Sequence, residues 1–242
     1  MNTNPDIYVP AGESGHDQYE VDITQQRAGW TWSSIKVVKL DAGGELSYDT
    51  GDDEILVLPL NGGCTIEVDG QTRELVGRPS VFEAISDFCY IPRHTTVKIS
   101  SAEGGRFALP GAIAASDLPV AFYGTDHVDV SLRGTGDCSR QVNNYALNNG
   151  VSTSHLLVTE VLTPGGNWSS YPPHKHEEYS ENERELEEIY YFEVTDGAGG
   201  PGFALHRTYG TPERPIDLLA EVRNGDVALV PHGWHGPCVA AP

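Results

Sequence analysis

Basic residues are scarce in this chain. Its 242 residues carry 15 Lys and Arg against 35 Asp and Glu, a formal net charge of −20. Such a surface repels nucleic acid and anionic membrane, and no helix-turn-helix pattern or basic face offsets it. An anionic ligand would need local basic groups set against the overall field. Long apolar runs are missing too, and none approaches membrane-spanning length. The opening Met1-Asn2-Thr3-Asn4-Pro5 has neither the basic nor the apolar region of a secretory signal. A cytoplasmic protein is expected, with no nucleic-acid or membrane partner. Cys64, Cys89, Cys138 and Cys238 are widely spaced and form no Cys-x-x-Cys, so free thiols are expected. The sequon Asn167-Trp168-Ser169 is discounted for the same lack of a signal. Helical periodicity is hard to find anywhere.

Short β-type runs take its place. The length allows one large all-β domain or two small ones, and 38% apolar residues suffice for packed sheets. Runs at 35–40, 55–60, 65–68, 97–100, 156–162, 189–194, 203–209 and 227–230 are separated by turn-forming clusters. Among these clusters are Asp41-Ala42-Gly43-Gly44, Asn61-Gly62-Gly63, Asp69-Gly70 and Asn224-Gly225-Asp226. Regular short strands between Gly-rich turns predict a sandwich or barrel. A weak repeat divides the chain: Glu54 opens an apolar run in the first half, and Glu188 opens another in the second. In each half a later strand ends in Pro, at Pro92 and Pro231. This predicts an N-terminal barrel over 1–111, a linker over 112–136 and a C-terminal barrel over 137–242.

The chemistry lies in the second half. In Tyr171-Pro172-Pro173-His174-Lys175-His176, an extended backbone puts His174 and His176 on one face. The two prolines favour that extended form. Glu188 and His235, arriving from later strands, would complete a three-His, one-carboxylate site for a divalent metal. Seven acids crowd positions 177–188, and the first five read as a solvated, mobile loop. Glu188 differs because it opens an aromatic strand; Glu187 replaces it if the register slips by one. His232 points away from His235 or to solvent. Where the second half has its His pair, the first offers only Tyr48-Asp49-Thr50, and its His94 has no partners. A metal-free first barrel follows.

Imidazole and carboxylate donors suit zinc first, with manganese, iron or nickel as alternatives. Four protein ligands leave open positions for a substrate with adjacent oxygens. Several neighbours are candidates for other roles. Tyr190, beside Glu188, could lend a phenol to proton transfer or simply pack in the core. Arg207 and Tyr209 share a strand face suited to a carboxylate and a hydroxyl, or are ordinary sheet-surface residues. Arg140 is an interdomain contact or an anion-binding group. Lys175 lies between the two His and faces away from them.

The run Thr163-Pro164-Gly165-Gly166-Asn167-Trp168-Ser169-Ser170-Tyr171-Pro172-Pro173-His174-Lys175-His176 resembles the signature of a bicupin family. Its members are the 5-deoxy-glucuronate and 4-deoxy-5-keto-uronate isomerases. Glu187-Glu188-Ile189-Tyr190-Tyr191, the strand around Phe203–Arg207, Gly225–Pro231 and Arg140-Gln141-Val142 are similar as well. The likeness is dense from about 133 to 239. It implies two jelly-roll barrels, the second metal-binding through His174, His176, Glu188 and His235. It also implies conversion of 5-deoxy-D-glucuronate to 2-deoxy-5-keto-D-gluconate in myo-inositol breakdown, by a homo-oligomer acting on a sugar acid. Two features depart from the pattern: one residue rather than two separates Gly233 from His235, and the sequence stops soon after. The resemblance thus implies a second barrel without its last strand. An iron-dependent cupin dioxygenase and a non-catalytic sugar-acid-binding cupin are the alternative readings.

Overall fold

The computed structural model describes residues 7–197 and 199–242. Strands dominate these residues; their one α-helix, Gln25–Ala28, is a single turn capped by Thr24. The architecture is all-β, as the turn-punctuated runs predict. No helix among the described residues is long and apolar enough to cross a membrane. All four cysteines are free thiols, with Cys64, Cys89 and Cys238 buried.

The first half forms a nine-stranded antiparallel sheet that curls on itself. Its axis is the long strand Asp53–Val68, flanked by Phe88–Ile91 and Gly105–Ile113. Period two explains why Ile55-Leu56-Val57-Leu58 is apolar throughout. Ile55 and Val57 face a core with Ile66, Ile91, Ile99 and Phe107. Leu56 and Leu58 face the other way, against Tyr145, Leu156 and Val158 of the second half. A strand covered on both faces needs no polar alternation.

The expected turn at Asn61-Gly62-Gly63 is absent, because the strand runs straight through it. Its glycines serve close approach instead. A Cβ on Gly62 would lie 2.6 Å from the Gly104 carbonyl oxygen, and one on Gly63 2.6 Å from that of Val76. Gly62 also has φ 77° beside a bulge in the pairing with Gln71–Arg78, a conformation glycine adopts without strain.

Three smaller sheets make up the second half. One joins Trp168–Ser169, Trp234–Ala240, Ala204–Tyr209 and Asp217–Val222; another joins Asp129–Arg133, Arg140–Ala146 and Val158–Leu162. The third pairs Glu188–Tyr191 with Val227–Val230, whose other edge receives Tyr8–Val9. The N-terminal segment therefore reaches across the molecule, and Ile7 and Val9 share a core with Leu218, Val222 and Leu229. Between 112 and 136 the chain forms strands Ala121–Tyr123, on Phe88–Tyr90, and Asp129–Arg133, on Arg140–Asn144.

Buried charges tie the halves together. Arg78, with a fully buried side chain, pairs with Glu160 and donates to the Tyr145 hydroxyl and the Pro59 carbonyl. Arg106 pairs with Glu20 and Glu193 and reaches the Tyr191 hydroxyl. Glu54, fully buried, accepts from the backbone N–H groups of Ser154, His155 and Leu156 and from the Tyr90 hydroxyl.

Candidate metal centre

A single antiparallel bridge sets His174 opposite His235. The His235 N–H donates to the His174 carbonyl at 2.9 Å, and the His174 N–H to the His235 carbonyl at 3.3 Å. Residues exchanging both bonds face the same way, so the two rings meet with centroids 4.3 Å apart. His176, two residues along, joins them at 5.0 Å from His174 and 5.2 Å from His235. Glu188 opens its strand opposite Val230 and brings Oε2 to 2.9 Å from His235 Nε2 and 3.7 Å from His176 Nε2. One donor atom from each of the four residues lies within 4.8 Å of all the others. His235 is buried at the base of the cluster, and His174 is exposed at its mouth.

The donor set fits a divalent cation. Loss of hydration and the neighbouring imidazoles push His174 down to about 4; loss of hydration also lowers His176. Both rings are neutral near pH 7 and carry free lone pairs. His174 Nε2 and His235 Nε2 face each other at 3.2 Å, where two lone pairs would repel unless a cation or a proton stood between them. Burial alone would raise Glu188, but the hydrogen bond and charge of His235 hold it below the ordinary carboxylate range. Imidazole and carboxylate donors of this kind suit zinc, manganese or iron alike.

Glu187 is not a fourth ligand. Its carboxylate accepts from the backbone N–H groups of Thr31 at 2.7 Å, Trp32 at 2.7 Å and Ser33 at 2.9 Å. His232 stays outside the cluster, its Nε2 buried near Arg214 and Glu177. Lys175 turns away from the two His and binds Glu183 at 2.9 Å. The acidic segment is more ordered than a solvated loop: Glu183 also accepts from the N–H groups of Glu177 and Glu178, and the Glu177 side chain is only 9% exposed.

Tyr190 lies inside the site. Its hydroxyl is 3.1 Å from Ser170 Oγ, and its ring centroid is 6.0 Å from that of His235. Burial, then the Glu188 charge, raises this phenol well above its ordinary value. It stays protonated at neutral pH.

Arg207 and Tyr209 do share a face, and it is the outward one. Arg207 pairs with Asp217, donates to the Thr208 and Leu218 carbonyls and lies over the Tyr209 ring. The inward residues of that strand are His206 and Thr208, both fully buried. His206 sits 4.9 Å from the Tyr190 ring, with Nδ1 3.1 Å from Cys238 Sγ and Nε2 3.0 Å from Thr208 Oγ1. Burial pushes His206 down to about 4 and the Cys238 thiol up to about 12, so both are neutral. Sequence reasoning missed this support. The signal was available: small Ala204 and Thr208 flank His206 on its face, whereas the other carries a charge. Arg140 opens strand Arg140–Ala146 and donates to the Cys138 carbonyl.

The family model described as KduI/IolB matches residues 7–242. A 5-deoxy-glucuronate isomerase of Geobacillus kaustophilus is 34% identical over 239 residues, covering 98% of this chain and 84% of that protein. The crystal structure of an IolB-like protein from Salmonella typhimurium superposes with a TM-score of 0.88 at 29% identity, covering 97% of this chain and 88% of that one. An oxalate decarboxylase of Bacillus subtilis superposes with a TM-score of 0.67 at 12% identity, covering 98% and 74%; that likeness bears on the fold alone, which is cupin-like.

Proposed function

The chain belongs to the KduI/IolB family, and we infer from this that it is a 5-deoxy-glucuronate isomerase. It converts 5-deoxy-D-glucuronate, an aldose, to the ketose 2-deoxy-5-keto-D-gluconate, a step of myo-inositol breakdown. The observation that carries the reading is the convergence of His174, His176, Glu188 and His235 in a member of an isomerase family. In this reading the fold is a bicupin whose first barrel is metal-free. The four residues hold a divalent ion, zinc first by donor type. Such an ion supplies Lewis acidity toward the aldehyde oxygen and the neighbouring hydroxyl.

The chain's own residues do the rest. Isomerisation moves one proton from the hydroxyl-bearing carbon to the aldehyde carbon and another between their oxygens, with no net gain or loss of atoms. Tyr190, held by Ser170 and kept protonated, donates to the oxygen that gains negative charge. His174, at the exposed mouth, marks the side from which the sugar enters. Buried His206 fixes the Tyr190 ring from behind.

Proton NMR of 5-deoxy-D-glucuronate with the zinc-loaded protein in D₂O tests the reading. Loss of the aldehyde signal, with solvent deuterium entering the new hydroxymethyl group at the former aldehyde carbon, is expected. A substrate left unchanged by the metal-loaded chain overturns it, and product formation that consumes O₂ points to a dioxygenase instead.

A further inference from the structure

A sugar acid has its aldehyde and its carboxylate at opposite ends of the carbon chain. A site that holds the aldehyde end at a metal needs a cation nearby for the other end. In a chain of net charge −20 most basic groups are already engaged. Around the cluster, Lys175 binds Glu183, Arg207 binds Asp217, and Arg214 reaches Glu177 at 3.9 Å. Arg140 differs. Among the described residues no carboxylate lies within ion-pair distance of it, and its NH1 group donates only to the Cys138 carbonyl, at 3.0 Å.

Arg140 is also built into place beside the site. The preceding carbonyl, that of Ser139, accepts from Asn167 Nδ2 at 2.7 Å. Three residues beyond Asn167, Ser170 touches the Tyr190 hydroxyl. The turn Gly136–Cys138 thus packs on strand Trp168–Ser169, which leads directly into the His174 segment. Gly134, at φ 78°, closes over the guanidinium: a Cβ there would lie 2.9 Å from Arg140 NH1 and 2.0 Å from the Cys138 oxygen. The side chain is half-buried. A planar guanidinium held at one nitrogen, with the others open, matches a carboxylate in a two-point pairing.

From this placement we propose that Arg140 receives the carboxylate of the sugar acid and so sets the preference for uronates over neutral sugars. The proposal rests on the isomerase reading and goes one step further, to the residue that selects the substrate class. Asn167 and Gly134 are positioning residues for it.

The test compares the metal-loaded wild type with Arg140→Gln and Arg140→Lys. Two readouts are taken: calorimetric binding of D-glucuronate, and turnover of 5-deoxy-D-glucuronate against neutral 5-deoxy-D-glucose. A charge-assisted pairing lost from Arg140→Gln weakens uronate binding and raises KM for the acid roughly 10- to 100-fold, with kcat changed much less. The neutral sugar, the metal content and Tm are unaffected, and Arg140→Lys falls between. A merely structural role would move Tm and both sugars together, and that result, or an unchanged KM for the acid, overturns the proposal. Should Arg140→Gln fail to fold, the selectivity of Arg140→Lys decides: unchanged preference for the acid overturns the proposal. If the wild type binds D-glucuronate through Arg140 but turns nothing over, the isomerase reading fails and Arg140 stands. If it turns over the acid while Arg140→Gln keeps its KM, Arg140 fails and the isomerase reading stands.

Discussion

Glu54 and Glu187 hold the two halves of the molecule together in opposite directions. Glu54, from the first half, accepts three consecutive backbone N–H groups at Ser154, His155 and Leu156. Glu187, from the second, accepts three at Thr31, Trp32 and Ser33. Each carboxylate satisfies a run of donors that no strand pairs. Glu187 also directly precedes Glu188, so this grip anchors the carboxylate of the metal cluster to the other half.

Removing either clamp should be costly, in different ways. Glu54→Ala strands one buried and two partly buried backbone donors together with the buried Tyr90 hydroxyl, a loss of about 3 kcal/mol or more. For a chain of this size that lowers Tm by roughly 6–12 °C. Glu187→Ala, at a half-buried position, should cost less stability but lower metal affinity about 10-fold by freeing Glu188. Thermal unfolding and a zinc titration of each variant check this; a Glu187→Ala protein with wild-type zinc affinity would count against the anchoring role.

The Arg78–Glu160 pair makes a second test of how the halves are joined. Glu160→Ala leaves the fully buried Arg78 guanidinium without its counter-charge, and a loss of about 3–5 kcal/mol is expected. The double change Arg78→Met with Glu160→Leu removes both charges and should cost clearly less. Urea unfolding of the two variants decides; equal losses would mean that packing, not charge, dominates there.

Tyr190 is the residue whose chemistry can be separated from binding. Tyr190→Phe keeps the ring against His206 and removes only the hydroxyl that meets Ser170. A fall in kcat of roughly 100-fold or more is expected, with KM and metal content nearly unchanged. Steady-state kinetics with metal analysis checks this, and a kcat within twofold of wild type removes Tyr190 from the reaction.

The parts of the molecule readable in sequence are those set by local geometry. His174-x-His176 is legible because an extended backbone repeats every two residues, and Glu188 because it opens an aromatic strand. Alternation also grouped Arg207 with Tyr209 correctly, but it says which residues share a face and not which face turns inward. Packing decided that in favour of His206 and Thr208. Asn61-Gly62-Gly63 read as a turn because glycine marks turns and close approaches alike; only the neighbouring carbonyls of Gly104 and Val76 distinguish the two. Glu54 was visible as the opener of a strand, while its backbone partners lie 100 to 102 residues away, beyond any local signal.

The central claim is that a metal held by His174, His176, Glu188 and His235 supports isomerisation of 5-deoxy-D-glucuronate. The most direct measurement follows the aldehyde proton of that substrate with the protein as purified, after chelation, and after zinc is returned. Turnover should vanish on chelation and recover with about one zinc per chain, and should not recover in His176→Ala. Undiminished turnover by the stripped protein would contradict the account.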